Sequence, residues 1–208
     1  MNRPDSLDAT RRAAWEAHYA SGNTPWDTQN TPPEVQEFWR SGRLPARGLA
    51  LDIGCGPGTN VRFLAELGLF AVGFDIALHP LQTGRRRALG DAAAISERAW
   101  LVQADVTHLP LTGAGAVYAL DVGCFHGVPP ALRPGYVAGV VDNLCTGGYL
   151  QMYAFDRAPQ MGDDPDKKLL GVEEDEIAAR FAAWLEIVEI TRARADRYPC
   201  RWYLLRKQ

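Results

Sequence analysis

Three alternating glycines stand directly after an apolar run in the first third of the chain. Leu49–Ile53 is apolar enough for a buried strand, Gly54, Gly56 and Gly58 follow it, and a helical pattern comes next. Glycine reaches positive φ and lets the backbone approach a ligand closely. The free N–H groups at the start of a helix attract electron-rich partners. The stretch therefore predicts a strand–turn–helix device for a nucleotide-like ligand, with a bare structural turn as the alternative.

An aspartate follows this turn at the end of a second apolar run. A second apolar run covers 70–75 and ends in Asp75, 21 residues after Gly54. In nucleotide-binding α/β folds, a carboxylate at the tip of the second strand accepts hydrogen bonds from both ribose hydroxyls. The next residue, Ile76, is expected to pack on the adenine. The alternative for Asp75 is a solvated acid at the end of a strand.

The composition is that of a soluble α/β protein. The chain has 208 residues, of which 47% are hydrophobic and 23% charged, and its formal net charge is −3. This balance argues against nucleic acid or an anionic membrane as a partner, because either would favour a basic face. Four scattered cysteines without a C-x-x-C pair indicate reduced thiols and a cytoplasmic location. No apolar run reaches the ~18 residues that a membrane span needs.

The elements needed to position these residues follow from apolar patterning. Apolar segments predict seven strands, and the strands are expected at 49–53, 70–75, 100–103, 115–121, 149–155, 185–191 and 200–206. We expect Thr146–Gly148 to form a turn before the fifth strand, and Trp184 to be a core residue beside a helix over 173–183. A polar loop carries Asp163 and Asp164, but no matching ligands flank this pair, and we expect no metal.

The glycine turn resembles motif I of class I S-adenosylmethionine (SAM)-dependent methyltransferases. An acid, Asp52, lies inside the strand before the turn, and Thr59 stands where the dinucleotide fingerprint has its third small residue. The resemblance implies a doubly wound, seven-stranded, mostly parallel α/β sheet of the Rossmann-like methyltransferase type, with the last strand antiparallel. It also implies that the turn contacts the methionine half of SAM.

The end of the third strand adds a residue to this resemblance. In similar methyltransferases an aspartate at this point binds the adenine amino group, and Asp105 stands there between Ala104 and Val106. A turn aspartate is the alternative. The cofactor-binding residues implied by the resemblance, together with the spacing argument, are Trp26, Asp52, Gly54, Cys55, Gly56, Gly58, Asp75, Ile76, Ala104, Asp105, Val106 and Asp121.

The N-terminal segment resembles the cap of thiopurine, thiol/halide and related small-molecule methyltransferases. The shared pattern is Tyr19-x-x-Gly22-x-Thr24-Pro25-Trp26-Asp27. In those families the cap closes over SAM and its tryptophan touches the cofactor, a role that the resemblance assigns to Trp26. The alternative is a tryptophan that only anchors the loop. We therefore expect a helical cap over 1–45 and a SAM-binding domain over 46–208, within one compact unit that is a monomer or a homodimer.

The segment after the fourth strand carries the candidate catalytic groups. Ligands of doubly wound sheets lie at the carboxyl ends of the strands where the strand order reverses, so this segment is expected to face the transferable methyl group. An imidazole with an ordinary pKa near 6.5 can remove a proton from a hydroxyl, which makes His126 the candidate base, and Asp121 at the end of the fourth strand is the second candidate catalytic residue. A structural histidine that binds the loop backbone is an equally weighted alternative.

The same segment distinguishes methyltransferases of nucleic acids from those of small molecules. It lacks the Asn/Asp-Pro-Pro-Tyr/Phe motif of nucleic-acid amino methyltransferases, and its pattern D-x-G-x-F-H-x-x-P-P-x-x-R-x-x-Y resembles small-molecule enzymes. Thiopurine enzymes have arginine directly after the aspartate, where this chain has Val122, which puts thiopurine specificity in doubt. The predicted acceptor-binding residues are Tyr19, Phe125, His126, Arg133 and Phe155.

These observations predict a methyltransferase that acts on a small molecule. The favoured reaction is O-methylation of a phenol- or quinol-type hydroxyl by in-line displacement, with S-adenosylhomocysteine as the product. S-methylation of thiols, or methylation of halides, is one alternative, because a soft acceptor needs no base. A SAM-binding protein of the same fold with other chemistry, such as cyclisation, is the alternative from another class. The glycine spacing disfavours an NAD-linked enzyme.

Overall fold

A computed structural model describes residues 4–88, 97–157, 171–193 and 199–208. The chain divides into two compact units, Met1–Val106 and Thr107–Gln208. The described helices and strands of the N-terminal unit are, in chain order, α1 (Pro4–Ser21), α2 (Pro33–Arg40), β1 (Leu49–Ile53), α3 (Thr59–Glu66), β2 (Phe70–Asp75), α4 (Leu78–Ala88) and β3 (Ala99–Gln103). Strand β2 pairs in parallel with β1 on one side and with β3 on the other.

The core of the N-terminal unit forms where α3 packs on the strands. Leu51 and Ile53 of β1 are fully buried, and α3 buries Val61 and Leu64 on its apolar face. A Cβ added at Gly73 of β2 would lie 2.5 Å from a methyl carbon of Val61. Glycine is therefore required at this point of β2, because it lets the helix after the glycine turn approach the strand closely.

Among the described residues, the C-terminal unit holds the other four strands and two helices. Its described elements are β4 (Ala116–Val122), a short 3₁₀ turn (Phe125–Gly127), α5 (Arg133–Asn143), β5 (Leu144–Phe155), α6 (Glu176–Phe181), β6 (Leu185–Arg192) and β7 (Cys200–Lys207). Strand β5 pairs in parallel with β4 and antiparallel with β7, and β7 pairs antiparallel with β6. The last strand of the chain is thus inserted in reverse between β5 and β6.

The seven-stranded, mostly parallel sheet with an antiparallel last strand confirms the predicted fold class. Two local predictions were wrong. The expected turn Thr146–Gly148 lies inside β5, where the register jumps from Leu144 opposite Ala116 to Tyr149 opposite Tyr118, so the extra residues form a bulge and not a turn. Trp184 is 49% exposed, because α6 ends at Phe181 and the helical spacing no longer applies beyond it.

Three further predictions are addressed by the structure in part or not at all. The Asp163–Asp164 pair lies outside the described residues. The division into a cap over 1–45 and a domain over 46–208 stays a prediction, although α1 and α2 do precede the first strand. In the described ranges, no helix has both the length and the apolar character needed to cross a membrane.

Candidate active site

The glycine turn between β1 and α3 has left-handed backbone at each of its three glycines. The φ angles are +78° at Gly54, +52° at Gly56 and +80° at Gly58, and Gly58 is the N-cap residue of α3. The N–H groups of Gly54 and Cys55 both donate to the carbonyl oxygen of Phe74, at 2.8 and 2.9 Å, and so tie the turn to β2. Residues that carry a side chain rarely adopt a positive φ, which explains why the turn needs glycine at alternate positions.

Asp75 is buried at the end of β2 and joins the glycine turn. One carboxylate oxygen accepts the N–H of Gly56 at 2.9 Å, and the other accepts the N–H of Ala77 at 2.8 Å. Burial raises the pKa of Asp75 to about 6, and the nearby Glu16 carboxylate also raises it, although the backbone N–H donors oppose both effects. The carboxylate is therefore ionised at neutral pH and is held in a fixed orientation beside the turn.

Tyr19 of α1 reaches the same turn from the N-terminal segment. Its hydroxyl accepts a hydrogen bond from the indole N–H of Trp26 at 3.2 Å, and a Cβ at Gly56 would come within 2.9 Å of its oxygen. Burial raises the pKa of Tyr19, and the charge of Asp75 raises it further, so the phenol stays protonated. Tyr19, predicted as an acceptor-binding residue, thus lies on the glycine turn.

Two residues of α1 that the sequence analysis missed attach this helix to the rest of the N-terminal unit. The guanidinium of Arg11 forms an ion pair with Asp105 at 2.9 Å, and the carboxylate of Glu16 accepts the N–H groups of Leu78 and His79 at the start of α4. The four-residue spacing of Arg11, Trp15 and Tyr19 was an available signal, because it places them along one helix face.

The other predicted cofactor residues of the N-terminal unit are mostly inside it. Trp26 is 45% exposed and packs edge-on against Trp15, with ring centroids 5.5 Å apart. The N–H of Ala104 donates to the carbonyl of Asp75 at 2.9 Å, which joins the ends of β2 and β3. The residues that are buried are Asp52, Cys55, Ile76 and Val106. The structure thus places Ala104 beside Asp75 and buries four others of the set, and the contact of each residue with the cofactor stays a prediction.

In the C-terminal unit, the 121–128 loop follows β4 and begins at a fully buried aspartate. Asp121 accepts the N–H groups of Cys124 and Phe125, at 2.7 and 2.9 Å, and the hydroxyl of Tyr136. Burial raises the pKa of Asp121 to about 6, and the Tyr136 and backbone donors oppose that rise. The carboxylate is thus occupied in shaping the loop that it begins.

The imidazole of His126 lies buried in this loop. Its Nδ1 accepts the backbone N–H of Phe155 at 3.4 Å, and its ring packs edge-on against the Phe155 ring with centroids 4.6 Å apart. Burial lowers the pKa of His126 to about 3, and the positive charge of Arg133 lowers it further. A neutral imidazole whose Nδ1 accepts a hydrogen bond carries its proton on Nε2. In this arrangement His126 is a donor at Nε2 and a weak base.

Arg133 and Phe125 were predicted to bind the acceptor, but the structure surrounds both with protein groups. The guanidinium of Arg133 is fully buried, donates to the carbonyls of Val128 and Gly171 at 2.9 Å each, and forms an ion pair with Glu176. Its carbon also lies 5.0 Å from the centre of the fully buried Phe125 ring. These contacts are structural, and any role of either residue in binding the acceptor stays a prediction.

The glycine turn can accommodate the predicted cofactor. The turn brings backbone N–H groups to the buried Asp75 carboxylate, whose chemistry suits ribose hydroxyls, and the Tyr19 hydroxyl lies against Gly56. In the described part of the chain, no group of three or more histidine, cysteine, aspartate or glutamate residues could hold a metal ion.

Comparison with known proteins identifies the family. The sequence profile of the family described as "Thiopurine S-methyltransferase (TPMT)" matches residues 10–198. The chain belongs to this family. The match covers the predicted cap from residue 10 onward, the glycine turn and the 121–128 loop, and it confirms the resemblance to the class I SAM-dependent methyltransferases, the enzyme class and SAM as the cofactor.

Individual relatives of this methyltransferase act on different small molecules. It is 29% identical to a 2-heptyl-1-hydroxyquinolin-4(1H)-one methyltransferase of Mycobacteroides abscessus, over 93% of this chain and 82% of that protein. It is 26% identical to thiocyanate methyltransferase 1 of Brassica oleracea, over 81% of this chain and 73% of that protein. The family therefore leaves the acceptor of this chain open.

A solved structure shows the same fold. The 1,6-didemethyltoxoflavin-N1-methyltransferase of Burkholderia thailandensis, crystallised with 1,6-didemethyltoxoflavin and S-adenosylhomocysteine, superposes with a TM-score of 0.75. The alignment covers 100% of this chain and 92% of that one, at 22% identity. This likeness supports the Rossmann-like methyltransferase fold.

Proposed function

We propose that this protein methylates an acidic aromatic hydroxyl of the phenol, quinol or N-hydroxyquinolone type. The observation that carries this proposal is the state of His126. Its Nδ1 is engaged by the Phe155 N–H, and its pKa is lowered to about 3, so its exchangeable proton is on Nε2. A group of this kind can donate a hydrogen bond to an anionic oxygen. It is poorly suited to removing a proton from a neutral alcohol, because the pKa of a catalytic base should lie near the working pH.

One of the relatives also supports this class of acceptor. A 1-hydroxyquinolone, the acceptor named for the Mycobacteroides abscessus relative, carries an acidic N–OH on a flat aromatic ring. The aromatic side chains of Phe155 and Tyr153, with ring centroids 5.6 Å apart, offer an apolar surface in the C-terminal unit. A hydroxyl that ionises without help would need no general base, so the base role predicted for His126 is weakened, although it stays open to direct test.

Within this proposal the two units have separate tasks. Bound SAM supplies an electrophilic methyl group on its sulfonium centre. In the N-terminal unit, Gly54, Gly56 and Asp75 would hold the cofactor, with the carboxylate of Asp75 as the acceptor for the ribose hydroxyls. In the C-terminal unit, the 121–128 loop would orient the acceptor oxygen. Methyl transfer is an in-line displacement, a reaction that enzymes accelerate mainly by aligning donor and acceptor.

S-methylation is the second candidate. The weak basicity of His126 is compatible with it. A thiol or thiocyanate sulfur needs no base with a pKa near 7, and one of the relatives is a thiocyanate methyltransferase. The two candidates differ in how they use His126. An anionic oxygen gains from an Nε2–H donor, whereas a soft sulfur gains little, so removal of the imidazole should slow only O-methylation.

The test is a product assay with the purified protein, SAM and a panel of acceptors. The panel contains a phenol, a quinol, a 1-hydroxyquinolone, an aryl thiol and thiocyanate, and mass spectrometry detects both the methylated product and S-adenosylhomocysteine. Methylation of the 1-hydroxyquinolone or phenol at oxygen supports the proposal, and methylation of the sulfur acceptors alone replaces it with the second candidate.

The role of His126 is tested with the preferred acceptor. We expect His126→Ala to reduce kcat/KM by roughly 10-fold to 100-fold, as expected for loss of a hydrogen bond to a charged group. We also expect the shape of the pH–rate profile to remain, because the residue does not take up the proton. Loss of a limb of the profile near pH 6–7 in the variant would instead establish His126 as the base.

A further inference from the structure

Helix α5 contacts both ends of the 121–128 loop. Arg133 and Tyr136 are three residues apart, which places them on one face of the helix. The Tyr136 hydroxyl donates to the carboxylate of Asp121, where the loop begins. The Arg133 guanidinium donates to the carbonyl of Val128 at 2.9 Å, where the loop ends, and to the carbonyl of His126 at 3.2 Å.

Between these contacts, the same two side chains enclose a loop residue. The ring of Phe125 packs edge-on against the Tyr136 ring with centroids 4.9 Å apart, and the Arg133 guanidinium carbon lies 5.0 Å from the ring centre. Phe125 is fully buried in this position. It therefore anchors the loop to α5, and the backbone next to it carries His126.

Arg133 also connects the loop to a second segment. It donates to the carbonyl of Gly171 at 2.9 Å and forms an ion pair with Glu176 at the start of α6. Burial of Glu176 opposes its ionisation, but hydrogen bonds from Arg133 and Arg180 hold its pKa below the usual value. The guanidinium thus has its donors directed at three carbonyls and a carboxylate.

We propose that Arg133 and Tyr136 are positioning residues for methyl transfer, which set the conformation of the 121–128 loop and join it to the 171–176 segment. This inference rests on the proposed function, in which that loop orients the acceptor. It replaces the expectation that Arg133 binds the acceptor directly, since the donors of this fully buried guanidinium are directed at two carbonyls of the loop and at Gly171 and Glu176. Neither residue belongs to the glycine turn, and the link of Tyr136 to the predicted cofactor set is through Asp121, so cofactor affinity should change little in variants of either residue.

Tyr136→Phe tests this inference with little change of shape, because the ring that packs on Phe125 is kept and only the hydroxyl is lost. Tyr118→Phe is the matched control, since the Tyr118 hydroxyl is also buried and donates to Gln151 at 2.6 Å, away from the loop. We expect Tyr136→Phe to lower kcat/KM for the acceptor by roughly ten-fold, as expected for loss of a hydrogen bond to a charged group, with SAM affinity within about two-fold of wild type.

The pH profile provides a readout that a purely structural role would not change. Without the Tyr136 donor, the Asp121 carboxylate is more easily protonated, so the acid limb of kcat/KM should move upward by ~1 pH unit in Tyr136→Phe and stay in place in Tyr118→Phe. Equal losses of kcat/KM in Tyr136→Phe and Tyr118→Phe would overturn the inference. Parallel losses of SAM affinity and activity in Tyr136→Phe, without a shift of the acid limb, would also overturn it.

Arg133→Lys tests the connection to the second segment, with Arg180→Lys as its control. Lysine keeps the charge but cannot reproduce the forked donors, whereas Arg180 binds the same Glu176 at 2.6 Å without contacting the loop. We expect a ten-fold or larger rise in KM for the acceptor in Arg133→Lys only, with SAM affinity retained. A similar rise in both variants would show that the ion pair with Glu176, and not the loop contacts, is responsible.

A measurement without any acceptor separates this inference from the proposed function. Amide hydrogen exchange at Cys124 and Phe125, whose N–H groups donate to Asp121, should be at least ten-fold faster in Tyr136→Phe than in wild type or Tyr118→Phe. Unchanged exchange would disprove the positioning role even if the panel contains a good acceptor. Faster exchange with no methylated acceptor would leave the positioning role supported and the proposed function wrong.

Discussion

At the scale of single residues, the two units each contain a buried aspartate at the end of a strand. Asp75 and Asp121 each accept two backbone N–H groups, Asp121 from the loop that follows it and Asp75 from Gly56 and Ala77, and burial raises the pKa of each to about 6. Their other partners differ, because Asp121 receives the Tyr136 hydroxyl while Asp75 lies close to Glu16 and Tyr19. Asp75 is therefore the carboxylate better placed to accept hydrogen bonds from a ligand.

The pKa of Asp75 predicts how cofactor binding depends on pH. The ionised carboxylate accepts hydrogen bonds from ribose, and protonation begins as the pH falls towards 6. We expect the dissociation constant of SAM to be constant above pH 7 and to rise as the pH falls below 6. Calorimetric titration with SAM and S-adenosylhomocysteine across this range measures it. In Asp75→Asn the affinity should be roughly 10-fold to 100-fold lower and nearly independent of pH.

A surface carboxylate gives the control for this experiment. Glu66 is exposed and pairs with Arg62 one turn earlier on α3, so Glu66→Gln should bind SAM as wild type does. A pH-dependent affinity that persists in Asp75→Asn would show that another group titrates with the cofactor.

The glycine turn allows a prediction with a closely matched control. Gly56→Ala combines a left-handed φ of +52° with a Cβ only 2.9 Å from the Tyr19 hydroxyl, whereas Gly113→Ala has a φ of +64° and nothing within 4 Å. Both variants should lose about 1 kcal/mol of unfolding free energy from backbone strain. Only Gly56→Ala should also lose SAM affinity, by at least roughly ten-fold. Denaturant unfolding and calorimetry measure the two effects, and equal SAM affinity in both variants would contradict this interpretation.

At the scale of elements, α1 is attached to the N-terminal unit by polar contacts with residues distant in sequence. Arg11 pairs with Asp105, Glu16 accepts the first N–H groups of α4, and Tyr19 reaches the glycine turn. The three contacts lie along a helix whose residues 9–21 are mostly exposed. The helix is thus positioned by charge complementarity, by the start of α4 and by the packing of Trp15 and Tyr19 with Trp26.

Glu16 provides the prediction at this scale. A carboxylate at a helix N-terminus interacts favourably with its free N–H groups, so Glu16→Ala should lower the free energy of unfolding by about 1 kcal/mol. Glu37→Ala on the exposed face of α2 should change it by less than about 0.5 kcal/mol. Urea denaturation compares the two variants. If Glu16→Ala is as stable as Glu37→Ala, the contact with α4 does not stabilise the fold.

At the scale of the whole molecule, His126 couples stability to pH. The unfolded chain has an ordinary histidine pKa near 6.5, whereas the folded protein has a pKa of about 3 at His126. Between about pH 3 and pH 6.5 the unfolded state binds the proton more readily than the folded state. The contribution of His126 to stability is therefore fully present above about pH 6.5 and is lost as the pH falls towards 3. Asp75 and Asp121 act in the opposite direction, because burial raises their pKa values.

Comparison with His126→Gln isolates the histidine, since both proteins share the two aspartates. Between pH 7 and pH 5, wild type should lose about 2 kcal/mol more unfolding free energy than the variant. Denaturant unfolding at the two pH values measures the difference. Identical pH dependence would mean that His126 titrates normally in the folded protein and that its imidazole is not buried in the neutral form.

Much of the fold was predictable because it depends on local patterns. The bounds of β1 and β2 follow directly from apolar runs that end in turn residues, and the three glycines after β1 are required by local φ angles. The errors arose where local patterns were ambiguous. A Thr-Gly-Gly sequence is compatible with either a turn or a bulge, and only pairing with β4 decides between them.

The sequence by itself determined the fold class, the glycine turn, the strand-end aspartates and the family, because each depends on residue type at a fixed spacing. Only the tertiary structure decided what several of these residues do. Burial and a backbone donor make His126 a neutral hydrogen-bond donor, and buried carbonyls occupy Arg133. The approach of α1 directs Tyr19 to the glycine turn. These roles depend on contacts between residues far apart in the chain, which shape the solvation and the hydrogen bonding of each group, and residue spacing carries no information about them.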